Sequence, residues 1–223
     1  MRREKIVTGE YFHIYNRGVD KRDIFLDTQD LERFKESIIE FNTFENIGSL
    51  RDKPRTEAKP LELEKNEPIV AIVAFTLNPN HYHFILKQLI DGGIAKFMHK
   101  LGGYTYYFND RHKRSGSLFQ GTFKSKLIDD QSYFDKIFPY VNQNYLVHDI
   151  PENKKHLIFS SNKEYDNEVF DFVAQTEGRR ILSMFDSKMK FNKHCTEIIS
   201  IIRKERRKIS LEDPDDLPIN PVV

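Results

Sequence analysis

The pattern of apolar and polar positions divides the chain into short strands and amphipathic helices. A near-continuous apolar run at 69–77 predicts a strand buried on both faces, and the turn-prone Asn78-Pro79-Asn80 joins it to a second strand at 81–86. Apolar residues at every third or fourth position predict helices at 31–44, 94–108 and 133–144. Stretches rich in β-formers predict further strands at 11–16 and 122–128. This order predicts an α+β, ferredoxin-like (split βαβ) fold, an antiparallel sheet covered by helices.

Two parts of the chain lack this regular pattern. Residues 45–68 are charged and contain three prolines, which predicts a long exposed loop. Beyond residue 150, helices are expected near 177–185 and 193–208, and an acidic, proline-containing tail is expected to be disordered. We therefore predict a domain of residues 1–150 and a C-terminal helical extension of residues 151–223.

Composition narrows the class of protein. The formal net charge is only +1, so the whole-chain charge gives no sign of nucleic-acid binding. The single cysteine, Cys195, excludes an intrachain disulfide and favours a reducing compartment. The first residues lack the apolar core of a signal peptide, and no apolar run approaches the ~18 residues of a membrane span. A cytoplasmic protein without a membrane partner is expected.

Four residues in two segments are candidates for chemistry. His81 and His83 alternate along a strand, so both imidazoles lie on one face and can bind one divalent metal ion. A His-x-His pair on a half-buried strand is, however, more often a surface or hydrogen-bonded pair. Tyr140 and Asn144, four residues apart on a predicted helix, offer a phenol nucleophile and an amide ligand. On these residues alone, a packing role for Tyr140 and a helix C-cap role for Asn144 are favoured over chemistry.

The sequence around these residues resembles a known family. His81-Tyr82-His83 fits the HUH signature, a bulky hydrophobic residue between two histidines. Together with YNRG (15–18), LFQGTFK (118–124), YVNQN (140–144) and SSNKEY (160–165), it resembles the REP-associated tyrosine transposases. These belong to the insertion-sequence 200 group of single-tyrosine HUH transposases. The resemblance covers residues 10 to 165, with several motifs in the right order and spacing.

The resemblance implies a DNA endonuclease and strand transferase that uses a divalent metal, Mg²⁺ or Mn²⁺. It implies that His81, His83 and Asn144 are the metal ligands. Tyr140 would attack single-stranded, hairpin-forming DNA and form a 5′-phosphotyrosine link that is later rejoined. The family includes both monomers and homodimers.

Two residues depart from the family pattern. Asn144 is followed by Tyr145 where the family commonly has proline, which makes Tyr145 a reserve nucleophile. Pro139 precedes Tyr140 and is expected to remove the helical bond to the Asp135 carbonyl and to kink the helix. The kink either aims Tyr140 or marks an inactive site. A non-catalytic hairpin-binding protein and a nuclease without a covalent step therefore remain alternatives.

Local charge supplies a separate sign of nucleic-acid binding. Between residues 94 and 128, seven cations face one acid, and aromatic residues are interleaved among them. Cations for phosphates and aromatic faces for unstacked bases are typical of single-strand binding, although a solvated basic helix end with core aromatics is the alternative. The candidates for DNA binding are Arg111, Lys113, Arg114, Lys124 and Lys126, with Arg17 a weaker candidate for bases beside a hairpin.

Overall fold

A computed structural model describes residues 5–45 and 67–208. Most of the predicted loop at 45–68 and the predicted disordered tail lie outside these ranges. The strands are β1 (Tyr11–Arg17), β2 (Val70–Asn78), β3 (His81–Gln88), β4 (Lys124–Ile128) and β5 (Phe159–Ser160). They form an antiparallel sheet in the order β4-β1-β3-β2-β5. The first four strands have the ferredoxin-like order, which confirms the predicted fold class.

The helices are α1 (Thr28–Glu40), α2 (Gly93–Gly102), α3 (Tyr104–Arg111), α4 (Gln131–Asn142), α5 (Asn162–Asn167), α6 (Gln175–Ser183) and α7 (Lys188–Lys208). Beyond residue 150 the chain adds β5 beside β2, and α7 packs along α4. The division at residue 150 stays a prediction. Among the described residues, no helix is long and apolar enough to cross a membrane.

The strand register gives the sheet one apolar and one polar face. Residues directly opposite each other in an antiparallel pair point to the same side of the sheet. Phe12 lies opposite Leu86, and Ile14 lies opposite Phe84, on the apolar face. The polar face carries residues from four strands: Thr76, Asn78, His81, His83, His13, Tyr15, Arg17, Lys124 and Lys126.

Helices cover both faces. On the apolar side, the Phe34 ring of α1 lies 5.7 Å from the Tyr82 ring. On the polar side, α4 crosses the histidines, and its Tyr140 ring lies 5.3 Å from the His83 ring. The outer face of α4 is covered by α7, where Phe191 contacts Phe138. The candidate site therefore lies between the sheet and α4, beneath a further helix.

Three predicted helices differ from those observed. The helix predicted at 31–44 is α1, which ends at Glu40. The helix predicted at 94–108 is two helices that meet at Gly103, and a Cβ on Gly102 would meet nothing within 4 Å. Gly102 and Gly103 therefore mark the junction between two helices. The α4 helix ends at Asn142, and Asn144 begins a separate 3-10 turn, Asn144–Leu146. The sequence had predicted that Tyr140 and Asn144 lie on one helix. That prediction is wrong, because Asn144 lies beyond the end of α4.

Candidate active site

The β2–β3 hairpin positions the two histidines. Alternation along β3 directs His81 and His83 to the polar face, while Tyr82 between them points to the apolar core. The side chains are almost fully buried, with exposed fractions of 3% for His81 and 1% for His83. These histidines are therefore interior groups, which excludes a surface pair. The other alternative, a hydrogen-bonded pair without a metal, stays open because both rings have hydrogen-bond partners.

The tautomer of His81 follows from its neighbour Asn80. The Asn80 Nδ2 donates to the Lys21 carbonyl at 3.2 Å, so its Oδ1 faces His81 as an acceptor. His81 Nδ1 lies 2.6 Å from that oxygen and must be the donor. The lone pair of neutral His81 is therefore on Nε2, the atom that faces the site.

The Asn144 amide meets this nitrogen. Asn144 Oδ1 lies 3.0 Å from His81 Nε2, and the Asn144 side chain is fully buried. Two ligands at right angles around an ion, each ~2.1 Å from it, are also ~3.0 Å apart. The pair thus fits one edge of an octahedral Mg²⁺ or Mn²⁺ site. Among residues 5–45 and 67–208, no three His, Cys, Asp or Glu side chains are grouped so that they could hold a metal ion.

His13 supports the second histidine from the neighbouring strand. His13 Nε2 lies 2.9 Å from His83 Nδ1, and the two rings are stacked. If His83 Nδ1 donates this bond, its Nε2 keeps a lone pair, the arrangement common for metal-binding histidines. His13 is not among the residues that the sequence motifs predict for the site. Its alternation with Tyr15 and Arg17 along β1 would have placed it on the polar face, but its proximity to His83 depends on the register.

Burial keeps these imidazoles neutral. It lowers the pKa of His81 to about 4 and, together with the charge of Lys126, that of His13 to about 3. The pKa of His83 is held well below its usual value by burial and by the neighbouring histidines. Neutral imidazole is the form that binds a metal ion, so the donor set fits the metal that the resemblance implies.

Tyr140 reaches the same site from α4. Its ring edge lies against His83 and, at 6.3 Å between ring centroids, against His13. Only 2% of Tyr140 is exposed. Tyr145 is half-buried instead, and it lines a cavity of about 600 Å³ in which burial raises the pKa of its phenol. Of the two phenols, Tyr140 is therefore at the histidines and Tyr145 is the more accessible.

The comparison with known families agrees with this grouping. Residues 54–144 match the family model described as "Transposase IS200 like", and the matched range ends at Asn144. It contains His81, His83 and Tyr140. Residues 54–144, about two fifths of the chain, are thus similar to the IS200-like transposases. The resemblance found in the sequence is thereby confirmed.

A solved structure, described as that of a REP-associated tyrosine transposase bound to a REP hairpin, is also similar. The sequence identity is 15%, the alignment covers 78% of this chain and 90% of that chain, and the TM-score is 0.48. No curated protein matches the chain significantly.

The helical hydrogen bond that Pro139 removes from α4 is replaced by one from α7. Proline has no N–H, so the Asp135 carbonyl cannot receive the usual helical bond from residue 139. His194 of α7 lies with its Nε2 3.1 Å from that carbonyl oxygen. The α4 helix continues past Pro139 to Asn142, where Ser161 bonds the Asn142 side chain at 2.6 Å. A residue 55 positions beyond the proline thus supplies the missing donor.

The same helix holds the segment that follows Asn144. Arg206 of α7 donates from Nη1 to the Val147 carbonyl at 2.8 Å and to His148 Nδ1 at 3.0 Å. The His148 ring in turn lies 4.5 Å from the His81 ring. The α7 helix therefore bonds the chain on both sides of Tyr140 and Asn144, at Asp135 and at Val147.

The predicted DNA-binding cations fall into three groups: three on the polar face, Arg111 in ion pairs, and two in the turn after α3. On the polar face, Arg17 is buried beside His81, and Lys124 and Lys126 lie on the edge strand β4. Arg111 forms ion pairs with Asp27 and with the fully buried Asp30, and its role in DNA binding stays a prediction.

Lys113 and Arg114 lie in the turn after α3, away from the polar face. Lys113 is exposed, and Arg114 donates to the Ser117 carbonyl at 3.1 Å. Both line a second cavity, of about 460 Å³, with Tyr106. The structure thus groups Arg17 with the four candidates for chemistry, which are His81, His83, Tyr140 and Asn144. Lys113 and Arg114 lie apart from this group.

Proposed function

We propose that this protein is a metal-assisted, single-tyrosine DNA strand transferase that cleaves and rejoins single-stranded, hairpin-forming DNA. One observation carries the proposal. His81 Nε2 and Asn144 Oδ1, from segments more than sixty residues apart, meet at 3.0 Å beside the Tyr140 ring. The match of residues 54–144 to IS200-like transposases supports the assignment of this group of residues to DNA chemistry.

In the proposed reaction, the Tyr140 hydroxyl oxygen attacks a phosphodiester phosphorus. A phosphorus–oxygen bond to tyrosine forms as the bond to the 3′ oxygen breaks, and the phenol proton ends on the released 3′-hydroxyl. One phosphodiester thus replaces another, so rejoining by the 3′-hydroxyl requires no nucleotide cofactor. A divalent ion, held by His81, His83 and Asn144, would neutralise charge on the scissile phosphate.

The chain's own residues give the site its alignment. The hydrogen bond to Asn80 fixes the His81 tautomer, and the bond to His13 orients the His83 ring. Lys124 and Lys126, on the same face of the sheet, are placed to contact the phosphates of an approaching strand. Because Tyr140 is buried, the proposed reaction requires that α4 and the sheet separate enough to admit a phosphate.

The burial of Tyr140 also favours one second candidate, a hairpin-binding protein that does not cleave. With 2% of its surface exposed, Tyr140 packs like a core residue against two neutral imidazoles. In that case the basic residues alone would bind DNA, and no covalent product would form with any metal.

A labelling experiment separates these functions. Single-stranded hairpins with randomised flanking nucleotides, labelled at the 3′ end, are incubated with the protein and Mg²⁺ or Mn²⁺. A 5′-phosphotyrosine link keeps the 3′-labelled fragment on the protein in a denaturing gel. We expect wild type and Tyr145→Phe to give this adduct and Tyr140→Phe to give none.

The other outcomes assign the alternatives. An adduct that is lost in Tyr145→Phe but kept in Tyr140→Phe makes Tyr145 the nucleophile. Cleavage without any adduct indicates a nuclease. Binding in a mobility-shift assay without cleavage, with either metal and with every hairpin in the pool, indicates the non-catalytic binding protein.

A further inference from the structure

A third amide lies between the two proposed ligand atoms. Asn78, the last residue of β2, is fully buried. Its Nδ2 lies 2.9 Å from His81 Nε2 and 2.8 Å from Asn144 Oδ1. Because both of these atoms are acceptors, the Asn78 amide nitrogen donates one hydrogen to each. A weakly positive donor therefore occupies the position between two groups that otherwise suit a cation.

The remaining amide atoms of this group are unsatisfied. Within the described part of the chain, Asn78 Oδ1 and Asn144 Nδ2 are buried and have no hydrogen-bond partner. A buried polar group without a partner is unfavourable, because it has given up its hydrogen bond to water. The arrangement thus leaves an oxygen of Asn78, a good ligand for a hard cation, without an interaction next to the proposed metal site.

Turning the Asn78 amide over changes the character of the site. The amide oxygen and nitrogen are nearly the same size, so rotation by half a turn places Oδ1 where Nδ2 now lies. Three lone-pair atoms would then form a triangle with sides of 2.9, 2.8 and 3.0 Å. Without a cation these three acceptors repel one another.

With a cation, the triangle is favourable. One face of an octahedron with ligands ~2.1 Å from the ion has edges of ~3.0 Å, close to all three separations. Calcium, with ligand distances of ~2.3–2.6 Å, would need edges of ~3.3–3.7 Å. A tetrahedral zinc site with ligands at ~2.0–2.1 Å would need about 3.3–3.4 Å. The dimensions favour a small octahedral ion such as Mg²⁺ or Mn²⁺.

We propose that Asn78 is a further metal ligand, binding through Oδ1 after its side-chain amide turns over. This inference rests on the proposed metal site, to which it adds a fourth protein ligand. Without metal, the Asn78 Nδ2 bridges His81 and Asn144 and holds these two ligands at the correct separation. With metal, the same side chain completes the ligand face.

Titration of the DNA-free, full-length protein with Mn²⁺, followed by electron paramagnetic resonance, tests the proposal without relying on activity. Asn78→Leu removes the oxygen at similar size, and we expect Mn²⁺ affinity to fall at least about tenfold. Asn78→Asp keeps the oxygen, adds charge and removes the competing donor, and we expect affinity to rise about tenfold or more. Asn109→Leu on α3, which removes a side-chain bond to the Gly116 carbonyl, is the matched control and should leave affinity unchanged.

The opposite pattern overturns the proposal. If Asn78 is only a hydrogen-bond donor, Asn78→Leu removes bonds that compete with the metal, and Mn²⁺ binds as tightly as in wild type or more tightly. If Asn78→Leu does not fold, Asn78→Asp decides, because unchanged or weaker affinity in that variant contradicts a ligand role. Circular dichroism and thermal unfolding establish which variants are folded.

Failure of this inference is distinguishable from failure of the proposed function. If wild type binds no Mn²⁺ at millimolar concentration, both the proposed metal site and the role of Asn78 are refuted. Wild type that binds Mn²⁺ through Asn78, yet forms no DNA adduct, leaves the ligand assignment intact and refutes strand transfer. If wild type binds Mn²⁺, Tyr140→Phe should bind it with the same affinity.

Discussion

The bond between His194 and the helix at Pro139 allows a quantitative test of how α7 supports Tyr140. His194→Phe keeps an aromatic ring against Phe185 but removes the donor to the Asp135 carbonyl. A buried carbonyl left without a partner costs ~1–3 kcal/mol. His194 is only partly buried and water can replace part of the bond, so we expect the free energy of unfolding to fall by about 1 kcal/mol.

The second half of the test restores the donor within the helix. Pro139→Ala supplies an N–H four residues after Asp135, the usual helical partner for that carbonyl. In this background His194→Phe should cost close to nothing. The two substitutions should therefore be coupled by about 1 kcal/mol, well above the ~0.3–0.5 kcal/mol within which independent sites add.

Urea unfolding of the four proteins, followed by circular dichroism, measures this coupling. In thermal unfolding, about 1 kcal/mol corresponds to a change in Tm of roughly 2–4 °C for a chain of this size. If the two substitutions are additive, His194 does not act through the carbonyl that Pro139 exposes. The packing of α7 on α4 would then have another cause.

Two further predictions concern a cation and the buried histidines. Arg111→Gln should lower the free energy of unfolding by about 3 kcal/mol, because the fully buried Asp30 loses the guanidinium and keeps only His112 and the Leu26 N–H as partners. Single-strand affinity in fluorescence anisotropy should stay unchanged, because the guanidinium is already paired with Asp27 and Asp30. Normal stability with weakened DNA binding would instead return Arg111 to the DNA surface. In the folded chain the pKa of His13 is about 3 and that of His81 about 4, both below the unfolded value of 6.5. Between pH 4 and pH 6.5 the unfolded chain therefore binds more protons than the folded chain. The free energy of unfolding falls as the pH drops from 6.5 towards 4. Each histidine should contribute a slope of about 1.4 kcal/mol per pH unit in urea unfolding, and a His13→Gln variant with an unchanged slope would contradict this.

Local sequence predicted the four main strands and the direction of the side chains along the His-bearing strand. The run at 69–77, the turn after it and the alternation of His81 and His83 predicted the hairpin and the shared face of the two imidazoles. Asp130 caps α4, where its side chain accepts from the Tyr133 N–H at 2.7 Å, and an aspartate directly before a helix is a typical cap. These features depend on residues a few positions apart, and the strand and helix periods express them directly.

Local sequence was less reliable where an element ends. Helical periodicity extended α4 to Asn144, but the chain leaves the helix after Asn142, where the sheet and the C-terminal segment bond its last turn. Thr76 of β2 donates to the Val141 carbonyl at 2.6 Å, and Ser161 bonds Asn142. Bonds from distant residues compete with the next turn of the helix, and no periodicity within α4 contains that information.

The sequence by itself thus determined that two histidines share a strand face, that Pro139 removes a donor from the tyrosine helix, and that the motifs resemble IS200-like transposases. Only the tertiary structure decided which groups surround those histidines. The register of β1 against β3 brings His13 to His83, and the hairpin places the Asn78 amide between two proposed ligands. The fold also supplies His194 to the carbonyl exposed by Pro139. Alternation is a property of a few consecutive residues, whereas these contacts require strand order, register and helix packing to be satisfied together.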